Sequence, residues 1–159
     1  MDHQSSPDLD KLAHGNASGD PQIGALYPTE EQAVEFAAGD PDRPVQMLNL
    51  LKYRDRAQYA GAGDEPGCTG REAYARYIEA AGKSIQDAQG TLMWYGTVGN
   101  LLIGGAGDDW DEALIVEYAT RNHLLRMFGD PDYQATTFHR EAALERTIIL
   151  ACAPHPAMG

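Results

Sequence analysis

Cysteine is nearly absent from this chain: Cys68 and Cys152 are the only two among 159 residues. They make no C-x-x-C pair, and no histidine pair stands at zinc-ligand spacing, so neither a disulfide framework nor a structural metal is implied. Long apolar runs are also missing. No stretch approaches the roughly 18 apolar residues of a spanning helix, and the opening Met-Asp-His-Gln-Ser-Ser-Pro-Asp has neither the basic nor the apolar region of a secretory signal. The expectation is a soluble, cytoplasmic protein with no membrane partner. Positive charge is scarce, with 12 Lys and Arg against 24 Asp and Glu and a formal net charge of -12. That sign repels phosphate backbones and anionic bilayers and disfavours a nucleic-acid partner.

The usual catalytic signatures are missing as well. There is no G-x-S-x-G, no H-E-x-x-H and no Walker loop. Gly104-Gly105-Ala106-Gly107 falls between strands and opens no helix, so it is not a dinucleotide loop. Asp108, Asp109, Asp111 and Glu112 fit no EF-hand register and suit a solvated acidic turn. His123 has no partner at ligand spacing. Cys68 lies in a Gly-rich loop with only Arg71 as a basic neighbour, which favours an inert thiol. No metal, haem or other cofactor is nominated.

What is present is the material for one domain with one core. Residues 1–24 are rich in Asp, Ser, Gly and Pro without apolar periodicity and read as a mobile acidic arm. Residues 25–159 read as the folded domain. Thr29-Glu30-Glu31-Gln32 is a capping box opening a short helix over about 30–38, ended by Gly39 and Pro41. A strand follows from Val45 to Leu51. An inserted loop over about 54–68 is longer than compact domains usually carry and suits a lid. Thr69-Gly70-Arg71-Glu72 is a second capping box, and Ala73, Tyr74, Tyr77, Ile78, Ala81 and Ile85 recur at helical spacing up to about Gln89. Thr91 to Gly104 and Asp111 to Tyr118 read as strands joined by a hairpin. Thr120 caps a short helix closed by Gly129, and Asp130-Pro131 opens another expected to run to about Glu145. The last strand is expected over Thr147 to Cys152.

This order gives an α+β fold, a ferredoxin-like split βαββαβ with a four-stranded antiparallel sheet and helices on one face. Val45, Met47 and Leu51 share one side of the first strand and Leu48 and Leu50 the other; the last strand sets Ile148 and Leu150 against Ile149. Both faces are apolar, and the helices can cover only one. An exposed apolar face of that size exceeds what a soluble monomer tolerates, so the sheet of an identical subunit is expected to pack against it in a two-fold homodimer.

Several blocks together resemble a known family. Tyr27-Pro28-Thr29-x-x-Gln32, the run from Pro44 to Lys52, Gly70-Arg71-Glu72-Ala73-Tyr74-x-x-Tyr77, Trp110-Asp111, Val116-Glu117-Tyr118, Asp130-Pro131-x-Tyr133-Gln134 and His139-Arg140-x-Ala142-Ala143-Leu144 look like the uncharacterised bacterial family called domain of unknown function 1330. The resemblance spans roughly Tyr27 to Pro154 and implies the dimeric α+β barrel fold. Two features depart from it: Tyr118-Ala119-Thr120 stands where Tyr-Pro-Ser is expected, and the 54–68 insertion is long. The wider fold group includes cofactor-free oxygenases, isomerases, cyclases, haem enzymes and plain binding proteins, so fold alone is a weak guide to chemistry.

The candidate chemistry rests on a few side chains. His139 titrates near neutrality and is the candidate acid or base, or else a histidine satisfied by a backbone carbonyl or Glu117. Arg140 points about 100° away around the helix. It suits a bidentate grip on a ligand carboxylate, or an ion pair with Asp111, Glu141 or a partner subunit. Asn49 and Glu117 could form the polar end of an apolar cavity. Tyr74, Tyr77 and Trp94 could wall it, and Lys52 at the strand end is either solvated or drawn toward an anionic substrate. The expected function is binding of a small, partly apolar or aromatic organic molecule, with cofactor-independent turnover by proton transfer or oxygenation. The alternative is a non-catalytic ligand-binding or interaction homodimer.

Overall fold

Two threonines start the first two long-range helices of the computed structural model, which describes residues 25–61 and 67–158. Helix α1 (Glu30–Ala37) opens on Thr29, whose hydroxyl accepts the Gln32 N–H at 3.2 Å while Gln32 Oε1 accepts the Thr29 N–H at 2.9 Å. Helix α2 (Gly70–Asp87) repeats the device with Thr69 and Glu72, at 3.1 and 2.7 Å. Each box satisfies backbone donors that the first turn of a helix would leave without partners. Gly70 meets a further demand, because a Cβ there would lie 2.3 Å from the Arg54 carbonyl and 2.5 Å from that of Ala143.

Strands β1 (Val45–Tyr53), β2 (Gly90–Thr97), β3 (Glu112–Tyr118) and β4 (Leu144–Cys152) form one antiparallel sheet in the order β2-β3-β1-β4. This is the split βαββαβ arrangement read from the sequence, with the helices against one face. Between β3 and β4 lie α3 (Arg121–Gly129), α4 (Pro131–Gln134) and α5 (Thr137–Ala143). The core between helices and sheet gathers Val45, Leu51, Tyr53, Tyr74, Tyr77, Ala81, Leu114, Tyr118, Leu124, Met127, Tyr133 and Leu144.

Three element bounds differ from the sequence expectation. Strand β2 stops at Thr97 instead of Gly104, where Gly99 interrupts the run, and the chain continues as a loop to Asp111. The helix expected over 131–145 is two short pieces. The Thr136 and Thr137 hydroxyls donate to the Tyr133 and Gln134 carbonyls at 2.6 and 2.9 Å, taking up acceptors that a continuous helix would use. Strand β4 begins at Leu144, not Thr147, because the β1–α2 loop takes over the end of α5: Arg54 and Gln58 donate their N–H groups to the Ala143 and Ala142 carbonyls, each at 2.9 Å. The expected acidic arm (1–24) and positions 62–66 of the inserted loop lie outside the described residues.

Register fixes which side chains meet. Asn49 stands opposite Leu114 on β3 and Ile149 on β4, and Met47 opposite Val116, all toward the helices. Leu48 is paired with Ile115 and Leu150, and Leu50 with Ala113 and Ile148, on the open face. No helix among the described residues is long and apolar enough to cross a membrane.

Candidate functional site

The helix face of the sheet encloses a cavity of about 270 Å³. Its floor is Met47 and Asn49 of β1, Leu114, Val116 and Tyr118 of β3, and Ile149 of β4; α2 adds Tyr74, Tyr77, Ile78 and Ile85. Helix α3 closes one side with Leu124, Met127 and Phe128, and α4 and α5 bring Tyr133, Gln134, Thr137, Arg140 and Glu141. Leu26, Tyr27 and Pro28 complete the lining. Most of the wall is apolar, and the polar groups are few, which is the usual make-up of a small-molecule site.

Those polar groups are held by each other. The Tyr77 and Tyr133 hydroxyls share a hydrogen bond of 2.9 Å. Tyr27 donates to Glu141 Oε1 at 2.5 Å, and the combination of burial and that carboxylate pushes its phenol up to about 12. Burial also pushes Tyr74, Tyr118 and Tyr133 upward, which favours their neutral forms. Asn49 donates from Nδ2 to the Met47 carbonyl at 2.9 Å, which fixes the amide within its own strand.

Arg140 is only 7% exposed. Its Nη1 donates to the Leu26 carbonyl at 2.7 Å and its guanidinium lies 5.6 Å from the centre of the Tyr27 ring. Burial works against its charge, the phenols of Tyr77, Tyr133, Tyr74 and Tyr27 work for it, and the net direction is upward. The ion pair expected with Asp111 or Glu141 is not formed. Asp111 instead accepts from Lys52 Nζ at 3.3 Å and from the Tyr53 N–H at 2.8 Å, and Glu141 is engaged by Tyr27.

The family model for "Domain of unknown function (DUF1330)" matches residues 67–153, more than half of the chain. The chain belongs to the DUF1330 family. Two crystal structures of RPA0582, a protein of unknown function from Rhodopseudomonas palustris, are similar to it: the methylated form at 35% identity and a TM-score of 0.75, covering 82% of this chain and 94% of that one, and another at 34%, 0.73, 82% and 96%. A hydroxynitrile lyase from Passiflora edulis is similar at 14% identity and a TM-score of 0.48, covering 73% of this chain and 97% of that one, a likeness too slight to bear on activity. None of the curated proteins matches this chain. The part matched by the DUF1330 model contains the cavity residues of α2, β3, α4 and α5, while Tyr27, Met47 and Asn49 precede it.

The cavity of this DUF1330 member brings together Asn49, Tyr74, Tyr77 and Arg140 of the residues singled out in the sequence. The other four lie elsewhere. His139 Nδ1 is 2.7 Å from the Tyr59 hydroxyl, and its ring stacks on Phe138 with centroids 4.0 Å apart. Partial burial and the positive charge of Arg76 hold its imidazole below the usual range. Glu117 is on the open face, where Gln46 Nε2 donates to it at 2.9 Å, so it and Asn49 do not meet. Lys52 is tied to Asp109 at 3.2 Å and Asp111 at 3.3 Å, and these carboxylates raise its pKa.

Trp94 is also on the open face, opposite Ile115, because β2 carries a bulge between Leu92 and Trp94. One extra residue reverses the alternation, so Tyr95 turns to the helix side instead, and there it donates to Glu112 together with Tyr53. Tyr27, Tyr133, Gln134, Thr137 and Glu141 line the cavity without having been singled out. Tyr27 and Tyr133 stood in blocks that carry the family resemblance, and Glu141 was named only as a candidate partner of Arg140. Among the described residues no group of three or more His, Cys, Asp or Glu is placed to hold a metal ion.

Proposed function

We propose that this DUF1330 protein binds a small, partly apolar organic molecule in the cavity between sheet and helices, and that it does so as a homodimer. The cavity carries the first part of this reading. At about 270 Å³ it falls just under the ordinary range of ligand sites, which begins near about 300 Å³, so its occupant is small. Aliphatic and aromatic walls suit an apolar body, and Asn49, Tyr74, Tyr77 and Arg140 suit oxygen atoms on it.

The homodimer rests on the open face of the sheet. Leu48, Leu50 and Ile115 stand there beside Trp94, Ile148 and Leu150, the last three 41–52% exposed. A contiguous apolar surface of this kind is costly in water, and a second copy of the same sheet matches it in shape and chemistry.

Binding is better supported than turnover. Burial favours the neutral phenols of Tyr74 and Tyr133, the guanidinium cannot take up a proton, and His139 is outside the cavity. Proton transfer of the isomerase or cyclase kind would have to use Glu141 and Tyr27, and a cofactor-free oxygenase would further need an electron-rich substrate. Native mass spectrometry of the protein purified from its own host tests the reading. The expected result is one organic molecule per subunit, released on unfolding and missing from the Met47→Trp variant that fills the cavity. Subunits without ligand that also take up nothing from a small-molecule library would overturn it.

A further inference from the structure

We infer that the ligand of this cavity carries a single acidic oxygen group, a carboxylate or an anion of the same shape, and that Arg140 receives it. The inference rests on the binding reading above and narrows it to a chemical class.

Among the described residues Arg140 is a buried cation without a counter-charge. Among the described residues no carboxylate pairs with it, and the carbonyl of Leu26 uses one of its five N–H donors. Burying an unpaired guanidinium is strongly unfavourable, whereas a planar anion can satisfy its fork with two parallel hydrogen bonds. The carboxylate that lines the same cavity, Glu141, is committed to the Tyr27 hydroxyl.

A second donor stands with it. The Tyr74 hydroxyl has no hydrogen-bond partner among the described residues, although the side chain is buried and lines the same cavity. A phenol and a guanidinium facing one cavity are both donors, and what they lack is an acceptor. The count of charges limits that acceptor. Among the described residues one cation and no lysine line the cavity, and Glu141 in the same wall repels a second negative charge, so a monoanion fits and a phosphate ester does not. Ile78, Ile85, Leu114 and Phe128 then leave the rest of the ligand an apolar body, aromatic or short aliphatic.

Matched acids and amides decide this. Isothermal titration of the wild-type protein at neutral pH would use benzoate, 3-phenylpropanoate and hexanoate against benzamide, 3-phenylpropanamide and hexanamide. Each acid is expected to bind at least about tenfold more tightly than its amide, the effect of a hydrogen bond to a charged group. The preference is expected to collapse in Arg140→Gln and to persist in weakened form in Arg140→Lys, and all binding is expected to vanish in Met47→Trp. Amides that bind as well as acids would overturn the inference and leave the cavity reading intact. Failure of both series to bind would overturn both. If the Arg140 variants do not fold, the wild-type comparison decides alone.

Discussion

His139 and Arg140 are adjacent in the chain and serve opposite sides of α5: the guanidinium enters the cavity and reaches the Leu26 carbonyl at 2.7 Å, while the imidazole turns out to the Tyr59 hydroxyl at 2.7 Å. A rotation of about 100° per helical residue sends the two side chains in different directions. One side chain faces the ligand space, and the other fastens the β1–α2 loop to the helix.

The surroundings of His139 make stability depend on pH. His139 is held below its usual pKa of 6.5 by desolvation and by Arg76, so the unfolded chain binds a proton more readily than the folded one. The contribution is fully present above pH 6.5 and is lost as the pH falls through the lower folded value. Urea denaturation is expected to show a midpoint that declines on acidification through this window, and His139→Gln is expected to flatten that part of the decline. An unchanged profile in the variant would refute the assignment.

At the alkaline end the sign is opposite. Tyr27 ionises in the unfolded chain near its ordinary value of 10.0 but only at about 12 when folded, so its contribution is complete below 10.0 and fades as the pH rises through about 12. Absorbance titration of phenolate should therefore show Tyr27 ionising late, and Tyr27→Phe should remove one late-titrating group. The same variant loses the bond to Glu141 and is expected to lower unfolding free energy by about 1 kcal/mol.

Glu112 accepts from three groups, Tyr53, Tyr95 and Arg71. Glu112→Ala leaves the buried Tyr53 hydroxyl without its acceptor and releases the half-exposed Tyr95 and Arg71 to water, and is expected to cost about 2 kcal/mol in chemical denaturation. A loss below about 1 kcal/mol would mean that the cluster is replaced by water without penalty.

Lys52→Met is expected to cost no more than about 1 kcal/mol, since Lys52 forms a partly exposed pair with Asp109 and Asp111. It should leave carboxylate affinity in calorimetry unchanged. A marked fall in affinity would place Lys52 at the ligand after all.

On the open face, Leu150→Arg sets a charge in the middle of the apolar surface beside Leu48. Sedimentation of the wild-type protein is expected to give the mass of two chains, and that of the variant the mass of one. A wild-type monomer would remove the homodimer from the proposal.

The sequence by itself determined what depends on neighbours in the chain. Both capping boxes, at Thr29 and Thr69, were legible because each is a four-residue pattern with a local hydrogen-bond cycle. The order of strands and helices followed from apolar periodicity, and the two apolar faces of β1 were visible in Met47 against Leu48. Tertiary structure decided the rest, because those features depend on groups far apart in sequence. The bulge before Trp94 reversed a face through pairing with β3, the hydroxyls of Thr136 and Thr137 broke a helix that propensity would have continued, and Tyr27 reached Glu141 across 114 positions. Whether Arg140 found a carboxylate could not be read from composition in so acidic a chain. Only the packing of α5 against the sheet, which turns that side chain inward while Tyr27 takes up Glu141, settled that among the described residues it did not.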